Sequence, residues 1–136
     1  RHPCKRREHK KIHPKQMIME INPGIIENNR TQMRRGVLEY SILLILSASD
    51  GYASSIIQRL KDVNIIVAEG TIYPLLIRLK KLGLLNYRWE ESTQGPPRKY
   101  YMITPLGREQ LEGLDAAWEE LAEGIETIRE TNRRTK

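Results

Sequence analysis

The sequence predicts a mainly α-helical fold that carries one small β-hairpin and ends in a long helix. Three observations predict it. Apolar residues recur at helical spacing in three segments between residues 32 and 82. The period changes to two at Leu84–Leu85, and a second extended, Tyr-rich run follows a polar loop. Beyond Thr104 the helical period returns and continues to about Thr131.

Size and composition narrow the function. The chain has 136 residues, enough for one modest core, with 29% charged residues and a mean hydropathy of −0.57. No run approaches the roughly 18 apolar residues of a membrane helix. A single cysteine, Cys4, excludes an intramolecular disulfide framework.

Residues 1–31 read as a basic N-terminal extension outside the folded core, either a native arm or a leader ahead of a start at Met17 or Met19. Pro23-Gly24 is expected to break any regular element there. Residues 32–48 read as a helix that becomes apolar nearly all round at Ile42-Leu43-Leu44-Ile45-Leu46, and is therefore buried on most sides. Asp50-Gly51 reads as a turn. A second helix spans 53–62, with Ile56, Ile57 and Leu60 on one face. A third runs near 69–82, with Ile72, Leu75, Leu76, Leu79 and Leu82 turned inward. Pro74 is tolerable only in a first helical turn, which places the start near Glu69–Thr71. Gly83 sits where a helix-ending left-handed residue belongs.

Leu85, Tyr87 and Trp89 then alternate with polar residues as one strand, and Arg98–Ile103 forms a second. Ser92–Pro97 is the loop between them. Thr104 caps the last helix and Pro105 takes its first position. Three helices, a hairpin and a long helix make a winged helix-turn-helix over 32–104, followed by a C-terminal dimerisation helix over 105–131 and a basic tail over 132–136.

Charge agrees with this division. The net charge is +6 and the pI about 9.6. Residues 32–103 carry +4, residues 104–131 carry −6, and the two ends carry +5 and +3. One basic region and one acidic region suit a protein with one face for DNA and another for something else. On the third helix, Thr71, Pro74, Arg78 and Lys81 are left facing outward, with Tyr73 and Lys80 beside them. Hydroxyls, a phenol and cations there are suitable donors to phosphates and base edges. Arg98 and Lys99, at the root of the hairpin loop, can grip flanking phosphates. Among Tyr87, Trp89, Tyr100 and Tyr101, packing of the sheet onto the helices is weighed against base stacking.

The sequence resembles the PadR family of bacterial transcriptional regulators. The matching pieces are Gln32-x-Arg34-Arg35-Gly36-x-Leu38-Glu39-Tyr40, Gly51-Tyr52, Glu69-Gly70-Thr71-Ile72-Tyr73-Pro74-Leu75-Leu76-x-Arg78-Leu79, Lys81-x-Gly83-Leu84-Leu85, and Gly95-x-x-Arg98-Lys99-Tyr100-Tyr101-x-Ile103-Thr104-x-x-Gly107. They lie in order over about 32–131. The resemblance implies a cytoplasmic homodimer that binds operator DNA, usually as a repressor, of the short C-terminal subtype. Tyr52, within a matching piece, joins the expected DNA-contacting residues. Ile103 stands where the family usually has Leu.

In the last helix Leu111, Leu114, Trp118, Leu121, Ile125 and Ile128 are spaced 3, 4, 3, 4, 3, an a/d seam. A helix of about 27 residues spans roughly 40 Å, and a seam of that length calls for a second subunit. The alternative is a helix lying on its own domain. Trp118 is bulky for such a seam. In PadR-like members that bind planar drugs a Trp stands at this place, so the resemblance implies a small planar effector at the dimer interface, against Trp118 as simple dimer core. Glu112, Asp115, Glu119 and Glu123 would favour a cationic guest. Cys4, His9 and His13, with His2 nearby, make a poor metal set. No nucleophile–base pair, paired carboxylates or phosphate-binding glycine loop stands out, so neither an enzyme nor a cofactor is expected. The competing reading is a winged-helix protein-interaction module without DNA binding.

Overall fold

A computed structural model describes residues 23–66 and 68–135. The chain divides into two compact units, Arg1–Gly36 and Val37–Lys136. Helix α1 spans Pro23–Ala48. It begins nine residues before the expected start at 32, because proline at a first helical position loses no hydrogen bond that the helix would make. Residues 24–33 along it are exposed. Glu27 pairs there with Arg30 at 3.6 Å and with Arg34 at 3.8 Å.

The second unit holds the core. Leu38, Ile42, Leu43 and Leu46 of α1 are buried and Ile45 is half-buried, whereas Leu44, expected in the same buried run, is exposed. Ser41 is buried among them, and its hydroxyl donates to the carbonyl of Val37 at 2.8 Å. Helix α2 (Ala53–Asp62) contributes Ile56, Ile57 and Leu60. A 3₁₀ turn at Glu69–Thr71 leads into α3 (Ile72–Lys81), which contributes Ile72, Leu76 and Leu79. Leu75 is half-buried, whereas Leu82, expected inward, is exposed. It lies past the last α3 residue, where the chain has left the helical stripe.

Both α2 and α3 end by the same device. Asn64 N–H bonds to Lys61 O and Ile65 N–H to Leu60 O; Gly83 N–H bonds to Lys80 O and Leu84 N–H to Leu79 O. Asn64 (φ 62°) and Gly83 (φ 79°) supply the left-handed residue that lets the chain fold back over the last carbonyls.

Strands β2 (Leu85–Glu90) and β3 (Arg98–Ile103) form the expected hairpin. A third strand was not legible in the sequence. Gly51, read as part of a turn with Asp50, forms β1 together with Tyr52, and the two pair antiparallel with Tyr101 and Tyr100, giving the sheet order β1-β3-β2. Two residues hold no alternation to detect, and their pairing partners lie 50 and 48 residues further along the chain. Leu85 and Tyr101 complete the core on one sheet face.

Helix α4 spans Pro105–Arg134. Its entry is tied to the α3–β2 corner. Thr104 Oγ1 accepts from Gly107 N at 2.9 Å and donates to Gly83 O at 2.7 Å, while Thr104 N donates to Leu84 O at 3.1 Å. Among the described residues no helix is long and apolar enough to cross a membrane.

Candidate nucleic-acid interface

Helix α3 presents two different sides. Ile72, Leu76 and Leu79 hold it to the core. Thr71, Tyr73, Pro74, Ile77, Arg78, Lys80 and Lys81 are exposed. Thr71 ends the 3₁₀ turn and Pro74 is the third residue of the α-helix, within the first turn that the ring demands.

Arg78 is not free on this face. Its Nη1 donates to Glu39 Oε2 of α1. An exposed pair of this kind adds little stability. It does, however, fix one side of the guanidinium and offset its charge, so Arg78 can reach a base edge only by sharing or releasing Glu39. The sequence offered no signal for this contact, since 39 residues separate the partners.

The hairpin distributes its aromatic and cationic residues over two faces. Direct pairing of Arg88 with Tyr100, and of Tyr52 with Tyr100, places these three together. Tyr52 and Tyr100 meet edge to face with centroids 5.0 Å apart. Arg98 lies 3.8 Å above the Tyr52 ring and Arg88 4.5 Å above Tyr100. On the other face Trp89 pairs with Lys99 and Tyr87 with Tyr101. Lys99 Nζ lies 4.6 Å from the Tyr87 ring centre and 5.6 Å from that of Trp89. Stacking on aromatic rings holds cationic heads in place while leaving N–H donors available.

Of the four hairpin aromatics, Tyr101 is buried, Tyr87 and Tyr100 are half-buried, and Trp89 is exposed. Packing therefore claims Tyr101, and the phenols of Tyr87 and Tyr100 are largely engaged by neighbouring rings and cations. Burial, aided by the nearby phenols of Tyr87 and Tyr73, pushes the Tyr101 hydroxyl above its ordinary value.

Helix and hairpin enclose a groove of about 380 Å³, lined by Ala53 and Ser54 at the start of α2, Tyr73 of α3, and Trp89, Arg98, Lys99 and Tyr101 of the hairpin. The groove thus brings together the expected Tyr73, Arg98 and Lys99, and Tyr52 is reached through Arg98. Thr71, Pro74, Arg78 and Lys81 lie along α3 outside its lining. Ser54 and Glu39 were not expected at the site, and Trp89 was expected only as one of the hairpin aromatics weighed between packing and base stacking. Trp89 is the last apolar residue of the alternating strand Leu85–Glu90.

In α4 the predicted seam is divided. Leu111 is only 7% exposed and belongs to the core, with Leu114 packed against it. These two were expected at a dimer interface. They face inward because the first turns of α4 are held against the corner at Gly83–Leu84. Trp118, Leu121, Ile125 and Ile128 remain 46–64% exposed. The Trp118 ring lies 6.4 Å from that of Tyr40, whose hydroxyl donates to Asp115 Oδ1. That bond, with burial and the charges of Asp115 and Glu119, pushes the Tyr40 hydroxyl up to about 12. Among the described residues no group of His, Cys, Asp and Glu could hold a metal ion. Cys4, His9, His13 and His2 lie outside them.

This order of elements, with a three-stranded sheet and an exposed cationic helix, defines a winged helix-turn-helix protein. Residues 42–113 match the transcriptional regulator PadR-like family, and the chain belongs to that family, whose members are regulators and not enzymes. It is 55% identical to a PadR-like transcription factor of Bacteroides fragilis, over 74% of this chain and 98% of that one, with a TM-score of 0.63. It is 39% identical to a PadR-like transcriptional regulator of Bacillus cereus, over 71% and 95%, with a TM-score of 0.64. An uncharacterised protein of Lysinibacillus sphaericus is 31% identical over 104 residues, 74% of this chain and 95% of its own.

Proposed function

We propose that the protein is a cytoplasmic homodimeric repressor that binds a palindromic operator. The observation that carries this reading is the groove between α3 and the hairpin, with Tyr73 on one wall and Arg98 and Lys99 on the other. Helix α3 would enter the major groove, with Thr71, Tyr73, Pro74, Arg78 and Lys81 toward DNA. Arg98, Lys99 and Tyr52 would hold the adjacent backbone, which fixes orientation without reading sequence. The acidic stretch 104–131 would face away from DNA.

The exposed row Trp118, Leu121, Ile125 and Ile128 supports pairing with a second copy through α4. An apolar stripe at heptad spacing on a helix otherwise rich in acids is the pattern of a helix–helix seam. Two such helices would place two recognition helices on the halves of a two-fold site. Trp118, half-exposed beside Tyr40 and near Asp115 and Glu119, supports a site for a small planar cationic effector that shifts the DNA-binding equilibrium by its differential affinity for the two states.

The test of the reading is a gel-shift of the full chain on the duplex upstream of its own gene, with a large excess of unrelated duplex. Retardation that survives the competitor is expected. No retained complex at any protein concentration would overturn DNA binding and favour the interaction-module reading.

A further inference from the structure

The outward side of α3 is not uniformly polar. Tyr73, Ile77 and Lys81 stand four residues apart and so form one line along the helix. Ile77, in the middle, is 54% exposed, and Tyr73 is 49% exposed. Ile77 takes no part in the core cluster, which α3 already supplies through Ile72, Leu76 and Leu79.

A lone exposed isoleucine calls for no explanation. Ile77 differs in three respects. It continues an apolar strip with Tyr73. It is bordered by the cations Arg78, Lys80 and Lys81, which would draw the strip toward a polyanion. The adjacent guanidinium of Arg78 is engaged by Glu39, so the centre of the face is weaker in hydrogen-bond donors than its composition suggests.

In the major groove only one base carries an apolar group on its edge, the C5-methyl of thymine. We infer that Ile77 is a specificity-determining residue that packs on a thymine methyl in the bound DNA. The inference rests on the DNA-binding reading above and deepens it. Discrimination at that base comes from removing two apolar groups from water, and not from a bidentate hydrogen bond.

The experiment enriches a randomised duplex library on the full-length protein and replaces each thymine of the selected sequence in turn by deoxyuridine, which lacks only the methyl. At one thymine position the replacement should weaken wild-type binding about fourfold, the worth of roughly one buried methyl-sized group. Ile77→Ala should bind the dT and dU duplexes equally at that position. Its melting temperature should match the wild type, since the side chain takes no part in the core. The inference is overturned if no thymine responds, or if the dU penalty is the same in Ile77→Ala. Failure of the wild-type protein to enrich any sequence would overturn the DNA-binding reading instead.

Discussion

Among the glycines, Gly107 has the least room for a side chain. A Cβ there would lie 2.2 Å from Leu84 O and 2.7 Å from Ile103 Cγ1. The first obstacle is backbone, so no change of rotamer relieves it. Gly107→Ala is expected to cost about 3 kcal/mol, the upper end of the usual overpacking range, measured by denaturant unfolding. A loss under about 0.5 kcal/mol would mean that the corner is looser than its geometry. Thr104→Ala removes the cap on the same turn and should cost about 1 kcal/mol.

Tyr40 gives a prediction in pH. Its hydroxyl is protonated more firmly in the folded chain, up to about 12, chiefly because it donates to Asp115. A raised value on an acid favours folding below the unfolded value near 10 and loses that contribution as pH rises through 12. Stability should therefore fall over pH 10–12 more steeply in wild type than in Tyr40→Phe. In tyrosinate absorbance, Tyr40→Phe should remove a late-titrating part of the curve. An unchanged late phase would show that the Tyr40–Asp115 bond does not persist in solution.

At the scale of elements, hairpin and α3 should divide the binding energy differently. Arg98, stacked on Tyr52, is the residue proposed to meet phosphates. Arg98→Ala should weaken binding to all duplexes alike and lower the slope of log affinity against log salt by about 1. A change of sequence preference without a change of slope would put Arg98 on a base. In α4, Leu121→Asp with Ile125→Asp places charges in the apolar row, a cost that nothing nearby offsets. Sedimentation of that double variant should show monomer. An intact dimer would place the interface elsewhere.

Across the whole molecule, α4 is divided along its length. Leu111 and Leu114 close the chain's own core, whereas the row from Trp118 onward is left uncovered. Leu111→Ala should destabilise the fold by about 2–5 kcal/mol while assembly is retained. Leu121→Ala should instead shift the concentration at which the dimer dissociates and the concentration dependence of Tm. Equal effects of the two variants on both readouts would mean that fold and assembly are a single transition.

The sequence by itself determined the helices and the hairpin and several of their ends, though not the start of α1 at Pro23, where a break was expected, nor the run of α4 past residue 131 to Arg134. Those features depend on neighbours within a few residues: the stripe Ile72–Leu76–Leu79, the left-handed Gly83, the Thr104 cap with Pro105, and the alternation Leu85–Tyr87–Trp89. It also placed Thr71, Tyr73, Pro74, Arg78 and Lys81 on the open side of α3, because the inward stripe leaves them nowhere else to go. Only the tertiary structure decided what depends on distant residues. The pairing of Gly51–Tyr52 with β3, the capture of Arg78 by Glu39 and the bond from Tyr40 to Asp115 link positions 39 to 75 residues apart. The heptad pattern in α4 likewise runs unbroken from Leu111 to Ile128, since spacing records that a side is apolar and not what covers it. The packing of the Thr104–Gly107 turn against Leu84 drew Leu111 and Leu114 into the chain's own core and left Trp118 and its followers exposed.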